Sequence, residues 1–167
     1  DVILKVNAPG TEEIAFMKKG AVLISFMHAA VNPELVKACA NQGVSAFSMD
    51  AIPRISRAQK MDVLSSQANL AGYKAVIIGA AALGKIFPML MTAAGTIKPS
   101  KVVIMGAGVA GLQAIATAKR LGAIVEVSDI RPETKEQVES LGGRFIELKG
   151  DDSVQLEGGY VKNVSEE

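Results

Sequence analysis

Six residues in the second half of the sequence form a pattern that suits the diphosphate of a dinucleotide. The apolar run 101–105 is followed by Gly106-Ala107-Gly108-Val109-Ala110-Gly111 and then by helical periodicity over residues 112–121. The first glycine allows a tight turn, the second lets a diphosphate approach the backbone, and the third permits close helix–strand packing. The amino terminus of the helix offers N–H groups and the positive end of its dipole to the phosphates.

A carboxylate follows this motif at a suitable distance. A second strand is predicted over residues 123–127, and Asp129 lies just beyond it, 18 residues after Gly111. In dinucleotide-binding folds, an acid about 20 residues after the motif accepts hydrogen bonds from the adenosine ribose. A carboxylate there repels a 2′-phosphate, which favours NAD(H) over NADP(H), although the nearby Arg131 weakens that preference. The alternative is a structural strand–turn–helix without a ligand.

Alternating strands and helices are predicted to position these residues. Such alternation is typical of an α/β fold with parallel sheets. The predicted strands cover residues 2–6, 21–26, 44–49, 101–105, 123–127 and 144–148, and the predicted helices cover residues 32–42, 62–87, 112–121 and 132–141. Only the first βαβαβ half of a doubly wound sheet is present after residue 96, so we expect an incomplete segment of a longer chain.

The long helix is predicted to join two domains. Its expected buried face carries Leu64, Ala68, Ala71, Ala75 and Ile78, and Pro88 should kink or end it. A connector over residues 92–99 then places the boundary between a first domain, 1–95, and a second domain, 96–167.

Composition excludes several classes of protein. The 167 residues are 49% hydrophobic and 21% charged, unlike disordered or collagen-like chains. A net charge of +1 provides no general attraction to nucleic acid. The single cysteine, Cys39, excludes an internal disulfide framework, and no metal-ligand cluster surrounds it. The apolar run 75–84 is half the length of a membrane span. A soluble, intracellular chain is expected.

A longer motif carries a family resemblance. The stretch Pro53-Arg54-Ile55-Ser56-Arg57-Ala58-Gln59-Lys60-Met61-Asp62, continuing to Tyr73, resembles the NAD(H)-binding domain I of the proton-translocating nicotinamide nucleotide transhydrogenases. Residues 91–96, 106–122 and 135–142 extend the match over nearly the whole chain. The resemblance implies two Rossmann-like subdomains with NAD(H) in the cleft between them. It also implies a partner domain that binds NADP(H), a transmembrane domain that couples hydride transfer to proton movement, and a homodimer. The location would be peripheral, on the cytoplasmic face of a bacterial inner membrane or the equivalent organellar membrane.

The same resemblance implies roles for individual residues. Arg54, Asp62 and Ser65 would hold the nicotinamide carboxamide, and Gln59 would lie where the two nicotinamides meet. Tyr160, after two glycines, would belong to a mobile loop that closes over the nucleotide; the alternative for it is a disordered chain end. Arg54 and Asp62 could instead form a surface ion pair, or Asp62 could cap a helix. The predicted cofactor-binding residues are Gly106, Gly108, Val109, Ala110, Gly111, Asp129, Ile130, Arg131 and Tyr160.

Two rival functions remain open at this point. Alanine dehydrogenases resemble the chain in fold and use a histidine and a lysine on the substrate carbonyl. His28 falls at the position of that histidine, but Asn7 stands where the lysine would be, and a lone histidine after a buried strand is more often structural. The other rival is an NAD(H)-binding module without chemistry, such as a sensor.

Overall fold

The structure is a computed structural model that describes residues 1–147, 156–157 and 160–161. Contacts within the chain divide it into two units, Asp1–Leu64 and Ser65–Glu167. The domain limits 1–95 and 96–167 stay a prediction. The same contacts place the long helix, from Ser65 onward, within the second unit.

The first unit contains a three-stranded parallel sheet with the strand order β1-β2-β3. Its elements are β1 (Val2–Leu4), α1 (Thr11–Ala15), β2 (Val22–Ser25), α2 (Pro33–Gln42) and β3 (Ser45–Ser48). Two 3₁₀ turns follow, over Met49–Ala51 and Ser56–Met61. Proline suits the first position of α2, and Gly43 ends that helix at φ 71°, a left-handed conformation that favours glycine. The core of this unit is formed by Ile14, Met17, Ala21, Leu23, Met27, Leu35, Cys39 and Val44.

The second unit contains another parallel sheet, with the strand order β6-β7-β8. Its elements are α3 (Val63–Ala82), β4 (Leu90–Thr92), β5 (Gly95–Ile97), β6 (Lys101–Met105), α4 (Val109–Arg120), β7 (Ile124–Ser128), α5 (Thr134–Ser140) and β8 (Arg144–Phe145). Ile115, Val127 and Val138 are completely buried, so α4 and α5 cover one face of the sheet. The predicted α/β fold with parallel, Rossmann-like sheets is confirmed.

The long helix α3 differs from its prediction in both its end and its buried face. It ends at Ala82, and Gly84 follows at φ 64°, so a glycine stop precedes Pro88. The buried positions are Gly72 and Val76, whereas Ala71, Ala75 and Ile78 are exposed. The reason is that the helix is apolar around most of its circumference, so hydrophobicity does not identify the packed face.

Two further segments differ from the predicted layout. The predicted connector over residues 92–99 overlaps an antiparallel hairpin. Its strands are β4 and β5, in which Met91 pairs with Thr96. The last predicted parallel strand, 144–148, is observed only as Arg144–Phe145, and residue 148 lies outside the described residues. A short antiparallel pair joins β9 (Leu156–Glu157) to β10 (Tyr160–Val161). Among the described residues, the helices are all too short or too polar to cross a lipid bilayer.

Candidate functional site

The turn between β6 and α4 is built by backbone hydrogen bonds to the end of β7. Gly106 has φ 97°, which confirms the predicted tight turn, and its N–H donates to the carbonyl oxygen of Ser128 at 2.7 Å. The next N–H, of Ala107, donates to Oδ2 of Asp129 at 2.6 Å. The glycine motif and the predicted ribose-binding acid are therefore adjacent at the carboxyl edge of the sheet, where open α/β sheets bind ligands.

Close packing at the start of α4 requires glycine at two positions. A Cβ on Gly111 would lie 1.9 Å from the carbonyl oxygen of Gly106, and a Cβ on Gly72 of α3 would lie 2.1 Å from that of Ala110. Both distances are far below any real contact, so a side chain at either position would displace backbone. The predicted packing role of Gly111 is confirmed. Gly72 is buried for a similar reason, because the backbone at Ala110 leaves no room for a side chain there.

Gly108, by contrast, faces open space. A Cβ built there has no described atom within 4 Å, and its φ of −76° is accessible to any residue. Gly108 is the N-cap of α4, and the first bond within the helix runs from the Leu112 N–H to the Gly108 carbonyl at 2.8 Å. The preceding N–H groups, from residue 108 to residue 111, have no acceptor within the helix and mark its positive end. The turn from Gly106 to Gly111, here called the cradle, therefore presents the type of backbone donor that binds phosphate groups in proteins.

Asp129 is the most enclosed charge beside this turn. Its side chain is 4% exposed, and its carboxylate lies 3.0 Å from Nε of Arg131. Burial alone raises the pKa of Asp129, but hydrogen bonds from the Arg131 side chain and from the Ala107 and Arg131 N–H groups outweigh it and lower the pKa to about 2. The group is therefore a carboxylate at any physiological pH and acts only as an acceptor.

The other predicted nucleotide-binding residues in this unit are Val109, Ala110, Ile130 and Tyr160. Val109 opens α4 and is 43% exposed, whereas Ala110 is half-buried against Gly72. Ile130 is 36% exposed. Tyr160 begins β10; Gly158 and Gly159, which form the rest of the predicted mobile loop, lie outside the described residues.

The second predicted set lies in the segment around the 3₁₀ turn Ser56–Met61. Arg54 precedes this turn and is exposed, and Gln59 lies within it and is exposed. Asp62 ends the turn, where its N–H donates to the Gln59 carbonyl at 3.3 Å, and it immediately precedes α3. Ser65 lies in the first turn of α3 and is half-buried. The turn gives this stretch a defined backbone.

A carboxylate that the sequence reasoning missed organises the loop after β2. Oδ1 of Asp50 accepts the N–H of Met27 at 2.8 Å, the N–H of His28 at 3.2 Å and the Ser48 hydroxyl at 2.8 Å. Burial raises its pKa, but these bonds outweigh burial and lower the pKa to about 2. A polar residue just beyond a predicted parallel strand is the signal that could have found it.

His28 adopts a conformation that is unusual for a residue with a side chain. Its φ is 48°, its side chain is 58% exposed, and Nδ1 lies 3.8 Å from Oδ2 of Asp50. The ring stacks on Phe26 with 6.3 Å between centroids. The Asp50 carboxylate holds the backbone in this left-handed conformation, so His28 is presented outward at the carboxyl end of β2.

Comparison with known sequences assigns the family. Residues 1–71 match the family described as Alanine dehydrogenase/PNT, N-terminal domain, and residues 75–164 match Alanine dehydrogenase/PNT, C-terminal domain. The chain belongs to the alanine dehydrogenase/PNT family. The junction between the two matched regions falls inside α3, close to the division at Leu64 that the contacts give.

Within the alanine dehydrogenase/PNT family the chain is much more similar to transhydrogenases than to alanine dehydrogenases. Over its whole length the chain is 52% identical to NAD(P) transhydrogenase subunit alpha of Haemophilus influenzae, and the match covers 33% of that protein. A solved transhydrogenase structure from Sinorhizobium meliloti matches 88% of the chain with a TM-score of 0.85 and 57% identity, over 44% of its own length. Alanine dehydrogenase of Bacillus subtilis is 31% identical over 87% of the chain and 39% of its own length. The chain spans less than half the length of these relatives.

Proposed function

We propose that this chain is the NAD(H)-binding part of a proton-translocating NAD(P) transhydrogenase. The observation that carries the proposal is the buried Asp129 carboxylate, bonded to the glycine turn at Ala107 in a chain 52% identical to a transhydrogenase subunit. An acid in that position suits an unphosphorylated adenosine ribose, because a 2′-phosphate beside it would meet a group that stays ionised well below neutral pH.

The residues present fit a dinucleotide at the cradle of the second unit. The N–H groups from residue 108 to residue 111 open α4 and would hold the two phosphates, and a Cβ built at Gly108 has no described atom within 4 Å. Val109 and Ile130 offer exposed apolar surface on which an adenosine could pack. Tyr160 is proposed, from the family resemblance, as part of a loop that covers the bound nucleotide.

When bound, the nicotinamide supplies or accepts the hydride. The protein needs no acid or base for that step. It needs only to hold one nicotinamide ring close to another and in a fixed orientation. We infer that Arg54 donates to the carboxamide oxygen, that Asp62 accepts from its amide, and that Ser65 does either, because a carboxamide has both donor and acceptor sides. Gln59, exposed in its 3₁₀ turn, is proposed to lie where a second nicotinamide approaches.

The whole reaction requires parts beyond these residues. We propose that a partner domain of the same enzyme holds NADP(H), that a transmembrane domain couples hydride transfer to proton translocation, and that the assembly is a homodimer. The chain would then lie peripherally on the cytoplasmic face of a bacterial inner membrane, or on the equivalent organellar membrane. The support is the set of relatives named as transhydrogenase alpha subunits, which are longer than this chain.

The first test is a titration of the full-length protein with NADH and with NADPH, followed by cofactor fluorescence. We expect preferential binding of NADH, lost by at least about tenfold in Asp129→Ala, since a charge-assisted hydrogen bond contributes roughly 1.5–3 kcal/mol. Glu136→Ala, which removes an exposed carboxylate from α5, is the matched control and should bind as the parent does. Equal or better binding of NADPH would contradict the ribose assignment.

The second test separates transhydrogenation from the rival functions. Hydride transfer from NADH to an NADP⁺ analogue, measured with the NADP(H)-binding partner supplied, should depend on Gln59. NADH binding without any transfer would favour a non-catalytic module. The outward-facing His28 favours an alanine dehydrogenase-like activity as the second candidate, and oxidation of NADH by pyruvate plus ammonia would support it. Asn7 in place of a lysine is the argument against that activity.

A further inference from the structure

Helix α3 lies in contact with the first turn of α4. Gly72 is buried in α3, and a Cβ at this position would lie 2.1 Å from the carbonyl oxygen of Ala110 and 2.9 Å from its carbonyl carbon. Ala110 is the second residue of α4 and belongs to the cradle. The backbones of the two helices therefore meet beside the proposed diphosphate site, and they can do so only because residue 72 has no side chain.

The two helices are not held with equal strength. The cradle is bonded to the end of β7 through the N–H groups of Gly106 and Ala107, and α4 buries most of the residues from 114 to 118. In α3, all of whose residues are described, only Gly72 and Val76 are buried. A side chain at residue 72 would therefore displace α3 more readily than it would displace the cradle.

The contacting face of α3 continues to the residue that the family resemblance assigns to the nicotinamide. Ser65 lies seven residues before Gly72, which is two helical turns, so both residues share one face of the helix and are roughly 10 Å apart along its axis. Both belong to the second unit. A dinucleotide held at the cradle and extended along α3 therefore brings its nicotinamide end to the first turn of that helix.

Building on the proposed function, we propose that the contact between Gly72 and Ala110 sets the separation between the phosphate cradle and the nicotinamide end of the site. Gly72 is then a positioning residue for hydride transfer, which acts through the placement of α3 and not through contact with the nucleotide. An ordinary contact for a Cβ at residue 72 would need α3 to move away by at least about 1 Å, and a misplacement of that size can slow a reaction between positioned groups on the order of a hundredfold.

The test compares Gly72→Ala with the parent in the full-length enzyme, with the NADP(H)-binding partner supplied. It measures 5′-ADP affinity, NADH affinity and hydride transfer to an NADP⁺ analogue. ADP has a diphosphate but no nicotinamide, so its affinity reports the cradle alone. In Gly72→Ala we expect ADP affinity within about twofold of the parent, NADH affinity weakened by at least about fivefold, and transfer at saturating NADH slowed by at least about tenfold.

Val76→Ala is the matched control, because it removes buried contact one turn further along the same helix without adding an atom beside α4. This variant should destabilise the packing of α3 to a similar degree and leave all three quantities within about twofold of the parent. Both variants are measured at a temperature where urea titration shows them to be folded.

Three results would overturn the inference while the proposed function stands, provided that the parent binds NADH. They are hydride transfer at the parental rate in Gly72→Ala, ADP affinity that falls as much as NADH affinity, and equal losses in Gly72→Ala and Val76→Ala. A parent that binds neither ADP nor NADH would contradict the proposed function itself.

A second measurement uses the parent alone, so it does not depend on how a variant folds. Hydrogen exchange, followed by mass spectrometry, should show that saturating ADP protects the peptide of residues 106–112 and leaves the peptide of residues 63–70 unchanged. Saturating NADH should protect both. Equal protection of the start of α3 by ADP and by NADH would mean that the nicotinamide half does not extend along this helix, and the inference would be wrong.

Discussion

Substituting Gly108 by alanine separates a nucleotide cradle from a merely structural turn. The new Cβ would have no described protein atom within 4 Å, and φ at this position is −76°, so the folded backbone accepts it without strain. The added methyl group would instead project into the space where a diphosphate must approach the N–H groups at the start of α4. We expect a protein that folds as the parent does and has lost nucleotide affinity.

The effect on stability follows from two opposing terms. Alanine is a poorer N-cap than glycine, which costs up to about 1 kcal/mol, and it reduces the entropy of the unfolded chain, which contributes roughly 0.4–1 kcal/mol. The free energy of unfolding should therefore stay within about 1 kcal/mol of the parent. Affinity should fall by at least about tenfold, or 1.4 kcal/mol, because a buried methyl group would separate the phosphates from their donors.

Urea unfolding and NADH titration, performed on the same preparations, measure the two effects. Gly79→Ala is the matched control: it also adds a methyl group with no described atom within 4 Å, but in the last turn of α3. That variant should keep its affinity and gain roughly 0.5–1 kcal/mol. If Gly108→Ala binds NADH as tightly as the parent, the diphosphate does not approach this turn and the reasoning for the cradle is refuted.

Three further predictions concern the stability of the two units. Gly72→Ala should lower the unfolding free energy by about 3 kcal/mol in urea titrations, since its Cβ would lie 2.1 Å from the Ala110 carbonyl oxygen; a change as mild as that of Gly79→Ala would contradict the close packing. The pKa of Asp129 is lowered from 3.8 to about 2, so its ionised form contributes roughly 2 kcal/mol that is fully present above about pH 4 and is lost as pH falls toward 2. Asp129→Asn should therefore remove that part of the pH dependence, and an unchanged slope of unfolding free energy against pH would argue against the buried pair. His28→Gly should keep or raise the free energy of unfolding while His28→Val lowers it by about 1 kcal/mol, because φ is 48° there; equal thermal midpoints in calorimetry would mean that the residue is unstrained.

Local chemistry explains why the glycine turn was predictable. The strand Lys101–Met105 is observed with its predicted limits, and Gly106 has the positive φ that a tight turn requires. These features depend on residues adjacent in sequence, and the acid at residue 129 is placed by one strand–helix–strand unit of fixed length. A motif of this kind carries its own structural context.

Contacts between distant residues explain what the sequence did not reveal. Asp50 bonds to the N–H of Met27, 23 residues away, so its role depends on the pairing of β2 with β3. The hairpin of β4 and β5 has two alanines between its paired ends, which are weak turn formers. The packed face of α3 was misassigned because the decisive residue, Gly72, is buried for its lack of a side chain and not for its hydrophobicity.

Sequence and structure also differ at the proposed nucleotide site. Sequence spacing placed Asp129 and noted Arg131, but it treated them as two independent influences on cofactor choice. The structure shows one bidentate pair, in which each carboxylate oxygen takes one backbone and one guanidinium hydrogen. A preference for an unphosphorylated ribose then depends on the charge of the whole pair and not on the negative charge at residue 129 alone. A neutral Asp129→Asn site leaves the Arg131 charge without a carboxylate beside it, so the variant should lose NADH affinity and gain affinity for a 2′-phosphate at the same time. A loss of NADH affinity alone would mean that Arg131 takes no part in the choice of cofactor.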